Sequence, residues 1–159
     1  MKVRIKKLND KAVMPKKAHA SDAGFDLVAT SMEIDVEGNI VYGTGLAFEI
    51  PEGHVGLVFP RSSICKKDLV LSNAVGIVDS HYRGEVMFKF RPTMMAQEGD
   101  TSAYESGAVI NTPFPLNTYA LGERIGQLII MPYPVVEFEE AEELSDTDRG
   151  KGGYGSTGK

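Results

Sequence analysis

A short polar segment in the first half of this chain has the composition of an anion site. Pro60 is followed by Arg61, Ser62 and Ser63, and the pattern predicts a short helix from Ser62 to Asp68 with one of the two serines as N-cap. A helix N-terminus that carries an arginine and two hydroxyls is suited to bind a phosphate or carboxylate group. A plain helix cap beside a surface arginine explains the same residues equally well.

The C-terminal stretch RGKGGYGSTGK is a second candidate anion site. Arg149 and Lys151 supply positive charge, Ser156 and Thr157 supply hydroxyls, and five glycines leave the backbone N–H groups unobstructed. The stretch resembles the start of a phosphate-binding P-loop, but no strand pattern precedes it and no helix pattern follows it. The glycines predict a flexible arm. A plain solvated tail is the alternative, although it would need neither Arg149 nor Tyr154.

The segment LSNAVGIVDSHYRGE, from Leu71 to Glu85, is typical of a β-hairpin. Its exposed main-chain groups are suited to form hydrogen bonds with the edge of a flat base. Asp79 follows two apolar residues, Ile77 and Val78, and this setting suits a general base. A turn aspartate that hydrogen-bonds its own backbone is the alternative.

Metal and thiol chemistry have little support in the sequence. His19, His54 and His81 lie far apart, and no pair has the spacing of a metal site. Cys65 is the only cysteine, which excludes an internal disulfide and a cysteine-based zinc site. We expect Cys65 to be a small, buried hydrophobic residue.

Strand patterns dominate the chain and must position these groups. Apolar residues alternate with polar ones in four segments, Val3–Lys7, Leu46–Ile50, Val55–Phe59 and Val86–Phe90. A fifth run, Ile125–Met131, is more continuously apolar and predicts a more buried strand. Many short strands with almost no helix predict an all-β sandwich or barrel. Residues 91–118 are rich in turn formers and predict a long excursion from the sheets.

Length and composition indicate one compact domain with a tail. The 159 residues are 42% hydrophobic and 25% charged, which is typical of a globular protein. The formal charge of -5 argues against a general nucleic-acid binder, whereas a small nucleotide needs only a local cluster of donors. The start, MKVRIKKL, does not resemble a signal peptide, and no apolar stretch approaches a membrane span. We expect a cytoplasmic protein that binds neither nucleic acid nor membrane.

Five segments of the chain form a recognisable series. They are Ser21–Leu27, Pro60–Ile64, Gly76–Glu85, Gly122–Gln127 and Arg149–Gly158. In this order they resemble the five motifs of the trimeric dUTP pyrophosphatases (dUTPases). Each motif alone is weakly to moderately specific, whereas five in order along nearly the whole chain are highly specific.

The resemblance implies a β-jelly-roll subunit in a threefold-symmetric homotrimer whose active sites each draw on all three chains. Residues 1–140 would form the β domain, interrupted by a surface insertion at about 91–118. Residues 141–159 would form a flexible arm that closes over a neighbouring site. The implied reaction is hydrolysis of dUTP to dUMP and pyrophosphate with Mg²⁺, which keeps uracil out of DNA and supplies dUMP for thymidylate synthesis.

The resemblance also implies roles for single residues. The catalytic group is Asp79, as the base that activates water, with Gln127 and Asp26. Phosphate ligands are Arg61, Ser62, Ser63, Gln127 and Arg149, to which the composition of the arm adds Ser156 and Thr157. Contacts to uracil and deoxyribose come from Asn73, Gly76, Ile77, Val78, Tyr82, Met87 and Tyr154. By the same resemblance, substrate phosphates and water would hold Mg²⁺, no residue would bind it directly, and Asp26 would approach it through water.

Two of these roles concern specificity. Tyr82 would pack on deoxyribose and leave no space for a 2′-hydroxyl, and Tyr154 would stack on uracil. The narrow hairpin would leave no room for the 5-methyl group of thymine. The chain departs from the common motifs at Pro60, Gly126 and Tyr154, and in the length of residues 91–118. None of these departures removes a predicted catalytic group.

Two other readings compete with this one. The dCTP deaminases share the implied fold, but their catalytic glutamate would fall about five residues after Gly84, where Lys89 stands. A regulatory binding protein would keep the nucleotide site as a sensor and bind a protein partner through residues 91–118. A lengthened loop without a partner is the favoured explanation of that insertion, because surface loops tolerate added length. If the chain is viral, its compartment is the host cytoplasm.

Overall fold

Ten β-strands and one short helix make up the described part of the chain, residues 1–93 and 116–153 of a computed structural model. The strands are β1 (Arg4–Lys7), β2 (Phe25–Val28), β3 (Ser31–Ile34), β4 (Ile40–Gly43), β5 (Leu46–Glu49), β6 (His54–Pro60), β7 (Leu69–Leu71), β8 (Gly76–Val78), β9 (Met87–Pro92) and β10 (Arg124–Pro132). A 3₁₀ helix, Ser62–Lys66, lies between β6 and β7. The prediction of an all-β chain is confirmed.

The strands form a β-sandwich of two four-stranded antiparallel sheets. Sheet I has the order β2-β10-β6-β8, sheet II has the order β3-β4-β9-β7, and β1 pairs with β5 beside them. One buried hydrophobic cluster receives Leu27 and Leu128 from sheet I and Tyr42, Phe88 and Phe90 from sheet II. The two sheets therefore share a single core, and this is the sandwich architecture that the jelly-roll prediction requires.

The alternation of buried and exposed residues in β9 follows the prediction. In β6, by contrast, only the structure shows which of the two faces packs against the core. In β9, Phe88 and Phe90 are buried and Lys89 is exposed. In β6, Gly56 and Val58 face the core, and the larger Val55, Leu57 and Phe59 lie half-buried on the outer face of sheet I. Position 56 favours glycine because the side chains of Ile50 and Leu128 fill the space where a Cβ would stand.

The core also explains the glycine in the fourth motif. A Cβ at Gly126 would lie 2.8 Å from the backbone oxygen of Phe59 and closer still to the ring of Phe88. Phe88 is fully buried and stacks with Phe90 at a centroid distance of 6.1 Å, so its ring has little freedom to move away. The smaller residue at position 126 therefore matches the aromatic packing of this particular core.

Replacing Gly126 by alanine is expected to lower the stability of the fold by about 1–3 kcal/mol, the range for overpacking a dense interior. For a chain of this size the change corresponds to a decrease in melting temperature of several degrees, on the order of 2–4 °C per kcal/mol. Thermal denaturation of the variant beside the parent protein measures it. An unchanged melting temperature would show that Phe88 has room to move.

The helix after β6 differs from the prediction in type and in capping. It is a 3₁₀ helix of five residues, in which the N–H of Ile64 bonds the carbonyl of Arg61 at 2.9 Å. Arg61 occupies the N-cap position and no side chain caps the helix, so neither Ser62 nor Ser63 is the predicted cap. So short a helix contributes little dipole. Any affinity for anions must come from the side chains.

Cys65 is exposed in this chain, so the prediction of a buried cysteine is wrong. The apolar contact of the 3₁₀ helix comes from its neighbour Ile64, which packs against the hydrophobic core. With three residues per turn, successive side chains of a 3₁₀ helix point about 120° apart. The residue that follows the inward-facing Ile64 is therefore turned toward solvent.

The chain leaves the sandwich after β10. Residues 133–153 form neither helix nor strand, and residues 131–151 are all exposed. Most of the predicted insertion at 91–118 lies outside the described residues, as do Tyr154, Ser156 and Thr157 of the predicted arm. No helix within the described ranges is long and apolar enough to cross a membrane.

Candidate active site

Three polar side chains meet around the carboxylate of Asp26 on the outer face of sheet I. Arg61 donates a hydrogen bond from Nε to Oδ1 of Asp26 at 2.9 Å. Arg124 donates from Nη1 to Oδ2 at 2.9 Å, and the side-chain amide of Gln127 donates to Oδ1 at 3.2 Å. We call Asp26, Arg61, Arg124 and Gln127 the Asp26 cluster. It unites three residues for which the sequence predicts catalytic or phosphate-binding roles.

Strand register explains why these residues meet. Asp26 on β2 lies opposite Gln127 on β10, and Gln127 lies opposite Phe59 on β6. Leu27 and Leu128 point into the core, so the residue beside each of them must point outward. Arg61 comes directly after β6 and reaches the same edge. The fold thus converts three distant motifs into one constellation.

Arg124 is the member that the sequence reasoning left without a role. It lies in the fourth motif at the start of β10, where a charged residue opens a mostly apolar strand. Such a residue at a strand end has no place in the core and must face solvent or a polar partner. This signal is present in the sequence, but only the pairing of β10 with β2 identifies Asp26 as the partner.

The charge balance of the Asp26 cluster favours an anion. Two guanidinium groups surround one carboxylate, which leaves an excess of one positive charge. The Asp26 side chain is only 6% exposed, whereas Arg61 and Arg124 keep 24% and 51% of their side-chain surfaces in contact with solvent. Asp26 therefore holds the two arginines in place, and their free N–H groups are available to an anionic ligand.

The two predicted serine ligands lie beside this cluster. Ser62 is exposed and Ser63 is half-buried in the 3₁₀ helix that follows Arg61. Asn117 donates from its side-chain amide to the carbonyl of Lys66 at 2.7 Å, and the ammonium of Lys67 donates to the carbonyl of Thr118 at 2.6 Å. The segment before β10 thus secures the loop that carries the serines.

A second group of predicted residues lies on β8 and the turn before it. Gly76 pairs with Val58 of β6, and a Cβ at Gly76 would clash with the Val58 side chain and lie 3.3 Å from Nδ2 of Asn73. Ala74 has a positive φ of 57°, an unusual conformation for alanine that the sequence did not predict. Its N–H bonds the carbonyl of Leu71 at 3.1 Å and closes the turn.

The side chains around this turn leave the backbone accessible to a flat ligand. Gly76 and Val78 are buried, whereas Ile77 is 70% exposed and Met87 is 49% exposed. β8 has only one hydrogen-bonded neighbour, β6, so its other edge is open among the described residues. An open strand edge presents N–H and C=O groups in a row, which is the arrangement predicted for reading a base.

Asp79 and Tyr82 follow β8 and are held by local hydrogen bonds. The N–H of Tyr82 bonds the carbonyl of Asp79 at 3.0 Å, and the Tyr82 hydroxyl donates to the carbonyl of Glu85 at 3.0 Å. The Tyr82 ring lies so close to Gly84 that a Cβ there would meet ring carbons at 2.6 and 2.9 Å. Gly84 thus permits the ring position. The Asp79 carboxylate is exposed, in a cleft of about 590 Å³.

Asp79 and the Asp26 cluster lie near opposite ends of β6. Val78, the residue before Asp79, pairs with Gly56 of β6, and Arg61 lies five residues after Gly56, just beyond the end of that strand. At about 3.3 Å per residue, this places Arg61 roughly 16 Å beyond that pair. The outer face between them carries Leu57, Ile77 and Ile129. Within one chain, the predicted base and the predicted phosphate ligands do not form one site.

Arg149 lies apart from both groups. Its Nε donates to the carbonyl of Gly152 at 3.0 Å, within a turn that begins at Thr147. The surrounding residues are exposed, so in this chain the side chain has no buried partner among the described residues. The structure thus brings together Asp26, Arg61 and Gln127, places the hairpin residues in a second group, and leaves Arg149 separate.

Lys89 stands where a dCTP deaminase would carry its catalytic glutamate. In this chain it has a structural role on sheet II. Its ammonium forms an ion pair with Asp35 at 2.8 Å, and this hydrogen bond holds the pKa of the Asp35 carboxyl below its usual value. Asp35 also accepts hydrogen bonds from Asn39. β9 and β4, which carry Lys89 and its neighbours, belong to the sheet opposite the Asp26 cluster. This placement gives no support to a deaminase site.

The described residues do not form a cage for a metal ion. Within the described ranges no three His, Cys, Asp or Glu side chains are grouped as metal ligands. Asp26 already accepts hydrogen bonds on both carboxylate oxygens. Mg²⁺ usually keeps several waters and binds through substrate phosphates and one or two carboxylates. The arrangement therefore fits a metal that is held mainly by substrate.

Two sets of polar groups lie on the β-sandwich: the Asp26 cluster, and the residues on and after β8. Together they indicate a class of protein. A cation-rich cluster beside two serines suits a phosphate chain, an open strand edge suits a base, and an exposed carboxylate suits a general base. This combination is compatible with a protein that binds and hydrolyses a nucleotide. The model of the dUTPase family matches residues 10–101, more than half of the sequence. The chain belongs to the dUTPase family.

Comparison with a curated relative and two solved structures agrees with this assignment. The chain is 39% identical over 160 residues to the deoxyuridine 5'-triphosphate nucleotidohydrolase of Corynebacterium glutamicum, covering 99% of this chain and 95% of the relative. It is similar to the dUTPase of Staphylococcus bacteriophage 80alpha solved with dUpNHpp, with a TM-score of 0.77, 29% identity and coverage of 99% and 98%. The resemblance drawn from the five motifs and the predicted class of enzyme are confirmed.

A third similar protein is one in which magnesium coordination has been described. It is a mutant dUTPase from phage phi11 of Staphylococcus aureus, whose structure was described for the coordination of a structural Mg(II) ion. The TM-score is 0.69 at 26% identity, covering 92% of this chain and all of that one.

Proposed function

We propose that this protein hydrolyses dUTP to dUMP and pyrophosphate, and that a homotrimer is its active form. The observation that carries the proposal is the Asp26 cluster, which holds Arg61 and Gln127 on one carboxylate beside Ser62 and Ser63. Family membership and the dUTP analogue bound to a similar phage enzyme support the choice of substrate. The reaction would keep uracil out of DNA and supply dUMP for thymidylate synthesis.

Asp79 is the proposed general base. Its carboxylate accepts a proton from a water molecule, and the oxygen of that water attacks the first (α) phosphorus of dUTP in line with the bond to pyrophosphate. The P–O bond between dUMP and pyrophosphate breaks, and the electron pair leaves with pyrophosphate. In one chain Asp79 is exposed, so a neighbouring subunit and the bound nucleotide must exclude bulk water from it.

The phosphate chain is proposed to contact Arg61, Ser62, Ser63 and Gln127, with Arg149, Ser156 and Thr157 added by the arm. Asp26 supports this contact by orienting Arg61 and Gln127, and the same role extends to Arg124. When bound, Mg²⁺ supplies positive charge to the phosphate oxygens and orients the chain. Asp26 is its proposed outer-shell partner through water, which is compatible with a carboxylate whose oxygens already accept hydrogen bonds.

The base and sugar are proposed to bind at β8. The backbone near Gly76, Ile77 and Val78, together with Asn73 and Met87, would read uracil. Tyr82 would pack on deoxyribose, and the hydrogen bond from its hydroxyl to Glu85 supports this by fixing the ring. Tyr154 of the arm would stack on uracil from the other side.

The outer face of sheet I supports a shared site between subunits. Leu57, Ile77 and Ile129 form an apolar band there, and Met131 extends it with 45% of its surface exposed. Such a band is stabilised when another copy covers it. A neighbouring subunit seated on the band could supply the Asp79 that one chain cannot bring to its own Asp26 cluster. A protein partner at residues 91–118 and a cytoplasmic location remain proposals from the sequence alone.

The substrate is tested by pyrophosphate release from a panel of dUTP, dTTP, dCTP and UTP. We expect rapid release from dUTP and little from the others, because the 5-methyl, 4-amino and 2′-hydroxyl groups each conflict with the proposed contacts of the β8 backbone and Tyr82. Heat-inactivated protein is the control. Turnover of dTTP at a rate comparable to that of dUTP would contradict the proposal.

A further inference from the structure

The ammonium group of Lys67 is held by three acceptors in the segment before β10. It donates to the carbonyl of Thr118 at 2.6 Å and approaches the side-chain oxygens of Asn117 and Glu123 at 3.4 Å each. It also stands 4.9 Å from the centroid of the Tyr119 ring, and the Lys67 side chain is only 15% exposed. An ammonium has three N–H donors, so these acceptors leave none for a ligand. Lys67 is therefore not a phosphate ligand, and the proposed reaction leaves its fixed position without a role.

Backbone hydrogen bonds join Lys67 to the predicted phosphate ligands. We call residues 61–63 the serine loop. The N–H of Lys67 bonds the carbonyl of Ile64 at 2.9 Å, and the N–H of Ile64 bonds the carbonyl of Arg61 at 2.9 Å. Lys67 thus ends the short 3₁₀ helix whose first turn carries the serine loop. A displacement of Lys67 is therefore transmitted to Arg61 and the two serines.

Glu123, the ionic partner of Lys67, directly precedes Arg124 of the Asp26 cluster. The Glu123 carboxylate also accepts a hydrogen bond from the N–H of Ala120 at 2.6 Å, which fixes the side chain. This hydrogen bond and the positive charge of Lys67 hold the pKa of the Glu123 carboxyl below its usual value, so the group is charged at neutral pH. Arg124 then donates to the carboxylate at the centre of the Asp26 cluster. The Lys67–Glu123 ion pair therefore connects the serine loop with the start of β10.

We propose that Lys67 is a positioning residue that fixes the serine loop relative to Arg124. Asp26 joins the side chains of Arg61 and Arg124, whereas Lys67 joins the backbone segments that carry them. The spacing of these segments determines how many donors reach the phosphate chain at once, and small misplacements of such donors are costly. The inference rests on the proposed function, because it takes the serine loop as a phosphate site.

The test compares Lys67→Met with Lys66→Met in affinity for dUpNHpp and for deoxyuridine, measured by calorimetry. Lys66 is the matched control, because it is the preceding residue, is exposed and carries the same charge. We expect Lys67→Met to lower the affinity for dUpNHpp about tenfold, the factor lost when one charge-assisted hydrogen bond to a phosphate no longer forms. Lys66→Met should lower it far less. Neither variant should change the affinity for deoxyuridine, which has no phosphate.

Glu123→Gln separates positioning from simple charge attraction. It removes a negative charge beside an anion site, so charge attraction alone predicts tighter binding of dUpNHpp. If Lys67 acts by position, we expect the affinity to fall instead, roughly two- to fivefold, the factor that a partly exposed ion pair contributes. Adding Lys67→Met to Glu123→Gln should then cause less than the additive loss. The Glu123 side chain is 47% exposed, so this variant should fold even if Lys67→Met does not.

Three outcomes would overturn the inference. One is a loss of dUpNHpp affinity in Lys67→Met no larger than in Lys66→Met, the second is an equal loss for deoxyuridine, and the third is unchanged or tighter dUpNHpp binding by Glu123→Gln. If the parent protein releases no pyrophosphate from dUTP, the proposed function fails. If the parent protein hydrolyses dUTP and any of the three outcomes is observed, only the role of Lys67 is wrong.

Discussion

Asp79→Asn is expected to abolish most of the hydrolysis of dUTP while nucleotide binding is retained. The amide keeps the shape of the side chain but cannot accept the proton of the attacking water at neutral pH. Loss of a general base typically reduces the rate by about 10²–10⁴-fold. Because the Asp79 side chain is exposed and lies outside the core, the melting temperature should be nearly unchanged. Steady-state pyrophosphate release and dUpNHpp binding measure the two effects separately.

Asp10→Asn is a suitable control for this substitution. Asp10 is also exposed and belongs neither to the Asp26 cluster nor to the residues on and after β8, so the variant should retain the full rate. A full rate in Asp79→Asn would show that Asp79 is a structural turn residue. Another group would then have to activate the water.

Removing residues 149–159 is expected to reduce turnover on the order of 10²-fold, through loss of Arg149 and the proposed contacts of Tyr154, Ser156 and Thr157. One charge-assisted hydrogen bond typically contributes about 1.5–3 kcal/mol, which corresponds to a rate factor of roughly 10–100. Arg149 is exposed and bonds only Gly152 among the described residues, so the loss in stability should be small. Melting temperature, oligomer mass and pyrophosphate release should be measured together.

A more specific control for the arm replaces only Arg149. Arg149→Ala should reproduce part of the loss, while Lys151→Ala, an adjacent cation with no predicted contact, should retain most of the activity. A truncated protein with full activity would reduce the segment to a linker. The roles proposed for Arg149, Tyr154, Ser156 and Thr157 would then be wrong.

Mixing the two defective proteins tests whether sites are shared between chains. In a shared site, a truncated subunit can supply Asp79 while an Asp79→Asn subunit supplies the arm. After subunit exchange of equal amounts, about a quarter of the sites in random trimers would hold both functional groups. Activity should therefore reappear in the mixture. If each site belongs to a single chain, the mixture will stay as inactive as its components.

A good part of the fold was predictable because strand formation is a local property. Alternation at Val86–Phe90 and the apolar run at Ile125–Met131 predicted β9 and β10. β9 buries Phe88 and Phe90 as expected, whereas β10 is less buried than expected, because Ile129 and Ile130 are half-buried and Met131 is exposed. The predicted helix at Ser62 was less accurate. A single turn of 3₁₀ helix and a longer α-helix have similar sequence signals, and the surrounding contacts decide between them.

The sequence by itself determined the family and the candidate chemistry, since both depend on residue type and order along the chain. The tertiary structure decided which groups meet. Arg61, Arg124 and Gln127 bond Asp26 across separations of 35, 98 and 101 residues, and only the register of β2, β6 and β10 produces those contacts. The distance between Asp79 and this cluster also depends on long-range packing. Local composition carries no information about such pairings, because they arise only when distant strands are brought side by side.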